Sequence, residues 1–271
     1  MMKSAPLLIG LSVLSLFSGC SREKREIIIL TGSSTVAPVV TDAAKRFEAT
    51  HPGVRIEVQT GGSSRGIADA LSGLATFGMI SRDLKADESE LTAHRFAIDG
   101  VGIILHQTNP VTDFSRQQLI DIYTGKVTNW KELGGPDAKI TVASKAEGRA
   151  TLEVFLGYTG LDSADIKAGV IVGENQQAIK TVVADPNAIA YVSIGAAASE
   201  AAGGTPIKLV RCDGIEPTNE NVAAGKFPIM RPLQLVSHGE IPATARDFLD
   251  FLTAPENADL IESHLYVSLS K

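Results

Sequence analysis

Thr31-Gly32-Ser33-Ser34-Thr35-Val36 stands between an apolar run and an amphipathic one. Ile27-Ile28-Ile29-Leu30-Thr31 is rich in β-branched residues and does not alternate, the pattern of a strand buried on both faces. Val36, Val39, Val40, Ala43, Ala44 and Phe47 recur at helical spacing as far as Thr50. Pro38 falls in the first turn, where a missing N–H costs nothing. The stretch therefore predicts a strand, a tight hydroxyl-rich turn and a helix capped by Ser34 or Thr35. The free N–H groups and the positive dipole end of such a helix suit an anion. An ordinary Ser/Thr cap has the same letters, so the weight rests on repetition.

The arrangement does recur. Val54-Arg55-Ile56-Glu57-Val58 alternates like a strand and leads into Gly61-Gly62-Ser63-Ser64-Arg65-Gly66, then a helix on Ile67, Ala70, Leu71 and Leu74. Ala75 to Ile80 is a third short strand, ending in Ser81-Arg82-Asp83. Three consecutive strands thus finish in hydroxyl-bearing turns, and in an open α/β sheet ligands bind beyond the carboxyl ends of the strands. Arg82 has an alternative use as a surface partner of Asp83 or Asp87. Phe96 to His106 reads as a mostly buried strand containing Asp99, and a carboxylate there needs a hydrogen-bonded partner or a function.

Further along, Ser115-Arg116-Gln117-Gln118 has capping-box spacing. Trp130, in a glycine-rich loop, reads as a packing anchor. Ile140-Thr141-Val142 is a strand that feeds Ser144 to Thr151 and a helix on Leu152, Val154, Phe155 and Leu156. Lys145 and Arg149 bring positive charge to this second kind of helix start, and Lys145 could equally pair with Glu147 or Glu153. Asn175 is positioned to cap a helix over 176–184. Ile189–Ser193, Ile207–Val210 and Leu233–Val236 read as strands, and Pro242 opens a last helix. Alternation of strands and helices means α/β with a largely parallel sheet.

Composition narrows the function classes. The chain has 271 residues, of which 44% are hydrophobic and 21% charged, enough for a sizeable core. A net charge of −6 argues against a nucleic-acid surface, so an anion site must rely on local dipoles and a few cations. The five histidines, His51, His94, His106, His238 and His264, show no metal-ligand spacing, and neither metal nor cofactor is expected. Residues 1–20 have the form of an export signal ending in Phe17-Ser18-Gly19-Cys20, which resembles a bacterial lipoprotein signal with Cys20 as the lipidated residue. Cys212 is then a lone thiol, although a Cys20–Cys212 disulfide fits an oxidising compartment. One enzymatic alternative exists: Gly62-Ser63-Ser64-Arg65-Gly66 fits the nucleophile elbow, with Ser64 as nucleophile, Asp247 or Asp259 and His264 completing a triad.

Taken together, Thr31–Val36, Gly61–Ser64, Gly78-Met79-Ile80-Ser81-Arg82, Phe96–Gly102, Tyr123-Thr124-Gly125-Lys126 with Asn129-Trp130, and Ala188–Ser193 resemble the periplasmic phosphate-binding subunit of bacterial ABC transporters. That is a type II periplasmic binding protein. The resemblance implies two α/β lobes with the ligand in the cleft between them. It implies a signal peptide over 1–20, a tether over 21–26, a first lobe over 27–107, a second over 108–196 and a return to the first over 197–271. It further implies inorganic phosphate as ligand, an ABC permease as partner, a lipid anchor as the sole membrane contact, a monomer and no catalysis.

By the resemblance, Ser34, Thr35, Ser63 and Ser81 would bind from the first lobe. The second lobe would use a loop that here reads Lys145-Ala146-Glu147-Gly148-Arg149-Ala150-Thr151. Thr151 matches the family pattern and Glu147 keeps a carboxylate. Lys145 stands for an arginine, Arg149 for a hydroxyl donor and Ala150 for a glycine. Hydrogen phosphate can donate a proton that sulfate lacks, so a buried carboxylate beside the site would favour phosphate. Asp83, Asp99 and Glu147 are the candidates, with Arg82 nearby. The same-class alternative is another tetrahedral oxyanion such as sulfate.

Overall fold

The computed structural model describes residues 25–269. The export signal, Cys20 and residues 21–24 of the tether lie outside the described residues.

The first segment runs β1 (Glu26–Gly32), α1 (Ala37–Thr50), β2 (Val54–Thr60), α2 (Ser63–Leu71) and β3 (Phe77–Ile80). β1 pairs in parallel with both β2 and β3, as two buried right-handed crossovers require. β4 (Leu91–His106) follows and is the longest strand among those described. After it come β5 (Asp113–Phe114), α3 (Arg116–Tyr123), β6 (Thr141–Lys145), α4 (Ala150–Thr159), β7 (Val170–Val172), α5 (Asn175–Ala184), β8 (Ala188–Ser193), α6 (Ile194–Ala202), β9 (Ile207–Cys212) and α7 (Asn219–Ala223). The chain then returns through β10 (Met230–His238), α8 (Ala243–Thr253), α9 (Ala258–Glu262) and β11 (Val267–Ser268). Strand order is β2-β1-β3-β10-β4-β8-β6-β7.

β4 belongs to both lobes. Its first part, Leu91 to Gly100, pairs antiparallel with β10, while Val101 to Leu105 pairs with β8. One apolar core lies under the first part, around Leu30, Val40, Phe47, Phe77, Phe248 and Leu252. A separate one lies under the second, around Phe114, Leu119, Tyr123, Trp130, Phe155 and Tyr191. Each fully buried Phe or Leu contributes about 1.5–3 kcal/mol. Phe155 and Tyr191 stack with centroids 4.2 Å apart, fixing α4 against β8. The indole N–H of Trp130 donates to the Asn187 carbonyl at 2.9 Å, so this residue is the expected anchor.

The second lobe extends further along the chain than 196. β9 pairs with β4 from Ile103 to His106, and Val222, Phe227 and Ile229 join the second core. The return falls at Met230. Strand periodicity shows that β9 exists, but not which half of β4 it pairs with.

Cys212 is buried and free; burial pushes its thiol up to about 12, which keeps it unreactive. Among the described residues no helix is long and apolar enough to cross a membrane.

Candidate functional site

Three helix starts meet at the cleft. The turn after β1 places Ser33, Ser34 and Thr35 there; the start of α2 adds Gly62 and Ser63; the end of β3 adds Ser81. From the second lobe come Arg149, Ala150 and Thr151 at the start of α4, and Gly173 before α5. They line a small, partly open space between the lobes. The first N–H groups of α2 and α4 have no intrahelical acceptor, and Ser63, Ala150 and Thr151, at those helix starts, line this space.

The capping of α1 differs from the expectation. Ser33 Oγ accepts from the N–H groups of Thr35 (3.2 Å) and Val36 (3.4 Å), so neither Ser34 nor Thr35 is the capping side chain. This spends Ser33 on the backbone and leaves Ser34 and Thr35 for the cavity. Asn175 is likewise not a cap: α5 starts after Glu174, and the Asn175 amide donates across the cleft to Thr35 Oγ1 at 3.1 Å.

Directly behind the hydroxyls that line the cavity lies Arg231, a residue absent from the expected site. It is 2% exposed. Its Nη1 donates to Thr151 Oγ1 at 2.8 Å and to Ser81 Oγ at 3.4 Å, and its Nη2 donates to Thr35 Oγ1 at 3.1 Å. One guanidinium therefore holds hydroxyls from both lobes. Thr35 Oγ1 accepts from Arg231 and Asn175. Ser81 Oγ accepts from Arg231 and from the Ser33 hydroxyl, the latter at 3.0 Å. A hydroxyl whose lone pairs are taken has only its hydrogen left to give, so both are set up as donors. Ser63 Oγ accepts from the Ser81 N–H at 3.2 Å, locking α2 to β3. In sequence Arg231 is only a cation between Met230 and Pro232, with no local signal that it is buried.

The expected carboxylates are elsewhere. Asp99 lies behind Arg231, whose Nη2 and Nε donate to its Oδ2. Burial pushes the Asp99 carboxyl up and the guanidinium opposes it. Asp83 is exposed and paired with Arg95. Glu147 turns out to accept from Ser163 Oγ. None of the three lines the cavity, nor does Lys145, whose ammonium donates to the Glu174 carbonyl at 2.9 Å and to Asn175 Oδ1 at 3.4 Å. Burial, then Arg231, lower the Lys145 ammonium to about 7. Arg149 does reach the cavity, with Nη1 2.6 Å from Glu174 Oε1. Arg82 pairs with Glu88 and Glu153 rather than with Asp83 or Asp87.

A serine triad is not assembled. Ser64 donates its N–H to the Gly148 carbonyl. Asp259 is paired with Arg46, and His264 with Asp42. Of the other four histidines, His51 bonds the Phe47 carbonyl, His94 bonds Ser237 and His106 bonds Thr108, while His238 Nε2 lies 3.8 Å from Glu90 Oε2. Among the described residues no His/Cys/Asp/Glu group could hold a metal ion.

Comparison with known proteins agrees with this geometry. A family model described as a PBP superfamily domain matches residues 21–256. The phosphate-binding protein PstS of Bacillus subtilis is 33% identical over 236 residues, covering 84% of this chain and 76% of that protein. PstS of Borreliella burgdorferi is 25% identical over 99% of both chains. A crystal structure, with bound phosphate, of a protein assigned as a phosphate ABC transporter substrate-binding protein from Clostridium perfringens has a TM-score of 0.85 at 34% identity, covering 90% of this chain and all of that one. An ABC-type phosphate transport receptor from Vibrio cholerae has a TM-score of 0.73 at 29% identity, covering 89% and 99%. The sheet is mixed rather than largely parallel, antiparallel along β4 and β10 and parallel toward its two ends; curled into two lobes about β4, with helix starts converging between them, it is the type II periplasmic-binding-protein fold, and the chain belongs to the PBP superfamily and within it to the PstS family.

Proposed function

We propose that this protein is an extracytoplasmic solute-binding protein that captures inorganic phosphate between its lobes and delivers it to an ABC permease. The observation that carries this reading is the buried Arg231, bonded at once to Thr35, Ser81 and Thr151. Such a guanidinium, with hydroxyl donors and helix starts around it, matches a tetrahedral oxyanion. Arg231 is balanced by Asp99 and Arg149 by Glu174, whereas Lys145 bonds no carboxylate and supplies the unbalanced charge. In a closed cleft each of these bonds is stronger than in water. Ser34, Thr35, Ser63, Ser81, Arg149, Ala150 and Thr151 bind the anion in this reading. Arg231 holds them, and Lys145 acts from behind. Cys20 carries the lipid that tethers a monomer to its membrane. The names of the PstS relatives support the ligand and the transporter.

A second reading, sulfate, is favoured by one observation: no acidic residue lines the cavity, so the expected proton acceptor is missing. Titration calorimetry decides. Phosphate heat that persists in excess sulfate supports phosphate capture; heat abolished by sulfate supports the second reading; no heat with either anion overturns both.

A further inference from the structure

Beside the cavity, and touching nothing in it, a cluster of charges joins the lobes. Arg82 follows Ser81 at the end of β3, and its side chain is 7% exposed. Glu88, in the same lobe, accepts from two of its nitrogens at 2.7 Å each. The third, Nε, faces Glu153 Oε2 at 3.2 Å, and the same oxygen lies 2.6 Å from Lys85 Nζ. Glu153 sits in the first turn of α4, two residues after Thr151. One carboxylate of the second lobe is thus clasped by two cations of the first, and both partners follow cavity residues by a few positions.

We infer that Glu153 is the carboxylate of an inter-lobe latch, which with Arg82 and Lys85 stabilises the closed cleft and slows release of the anion without touching it. The inference rests on the anion-capture reading above. Its energetics are asymmetric. When the lobes part, Arg82 keeps Glu88, so its buried charge stays compensated in both states. Lys85 and Glu153 are the more exposed members and return to water at little cost. The latch therefore biases closure without locking it. An anion held only in the closed form gains apparent affinity in proportion to the closed fraction. Because the cluster is partly exposed, salt screens it.

The test is Glu153→Gln in the full chain. Spin labels at Lys45→Cys and Lys180→Cys, exposed positions on α1 and α5, report the lobe separation; the buried Cys212 stays unlabelled. We expect phosphate affinity to fall about three- to ten-fold, with the loss in the dissociation rate, as for a partly buried ion pair. The separation should shift toward longer distances, and adding Lys85→Met to Glu153→Gln should change little more. Identical distances and release rates in both proteins overturn the latch. So does a lowered Tm with unchanged distances, the outcome if Glu153 only favours the start of α4 through its dipole. If the wild type takes up no phosphate, the capture reading fails, and the distances without anion still decide the latch.

Discussion

Arg231 Nη2 lies 2.8 Å from Asp99 Oδ2, between two side chains shut away from solvent and 132 positions apart in the chain. Asp99 sits at the point where β4 leaves the first lobe, and Arg231 is the second residue of the returning β10. The pair thus pins both connecting strands where the cavity forms. Removing one partner leaves a buried charge uncompensated, at about 3–5 kcal/mol. Arg231→Met should lose that much stability in urea unfolding and lose phosphate heat. Arg231→Met with Asp99→Asn should recover most of the stability but none of the heat. Binding by either variant would remove Arg231 from the site.

Lys145 gives a pH dependence with two opposite signs. Its folded pKa is lowered to about 7 by burial, below the usual lysine range. From about pH 7 to about pH 10.4 the unfolded chain therefore binds more protons, and this residue's cost to stability shrinks as pH rises. Anion capture favours the protonated form, so affinity should fall over the same range and binding should take up protons. Calorimetry at pH 8.5, where the phosphate dianion no longer titrates appreciably, in buffers of different ionisation enthalpy measures the uptake. Lys145→Met should abolish it; an unchanged uptake assigns the proton elsewhere.

Gly62, in the first lobe, packs tightly against the Gly148-Arg149 turn of the second. Its φ is +95°, and a Cβ there would fall 2.7 Å from the Gly148 carbonyl oxygen and 2.9 Å from Arg149 Cδ. Gly62→Ala should strain the turn by about 1–3 kcal/mol and hold the cleft ajar. The expected result is a folded protein with phosphate affinity reduced at least ten-fold. Wild-type affinity would mean that closure does not need this contact.

Arg149 reaches the cavity from the second lobe while bonded to Glu174 at 2.6 Å. A charge-assisted hydrogen bond to the anion is worth about 1.5–3 kcal/mol. Arg149→Ser should therefore weaken phosphate binding by about ten-fold or more, and Glu174→Gln, which frees the guanidinium, should not. Equal affinity in Arg149→Ser and wild type would place Arg149 outside the ligand's contacts.

Local chemistry determined the parts that are local. Strand and helix periodicity, the hydroxyl-rich turns at Ser33–Thr35, Ser63 and Ser81, and the helix start at Ala150-Thr151 are all legible in order along the chain. Each depends on neighbours within a few residues. Tertiary structure decided the rest. Thr35 and Arg231 are 196 positions apart, and nothing in a run such as Met230-Arg231-Pro232 says that its cation will be buried. The carboxylates were misplaced for the same reason. Whether Asp83, Asp99 or Glu147 faces the cleft depends on which donor captures it, and the cations Arg95 and Arg231 and the hydroxyl of Ser163 do so from other elements. Periodicity records which side of an element is apolar, while a buried charge finds its partner only when separate elements have packed.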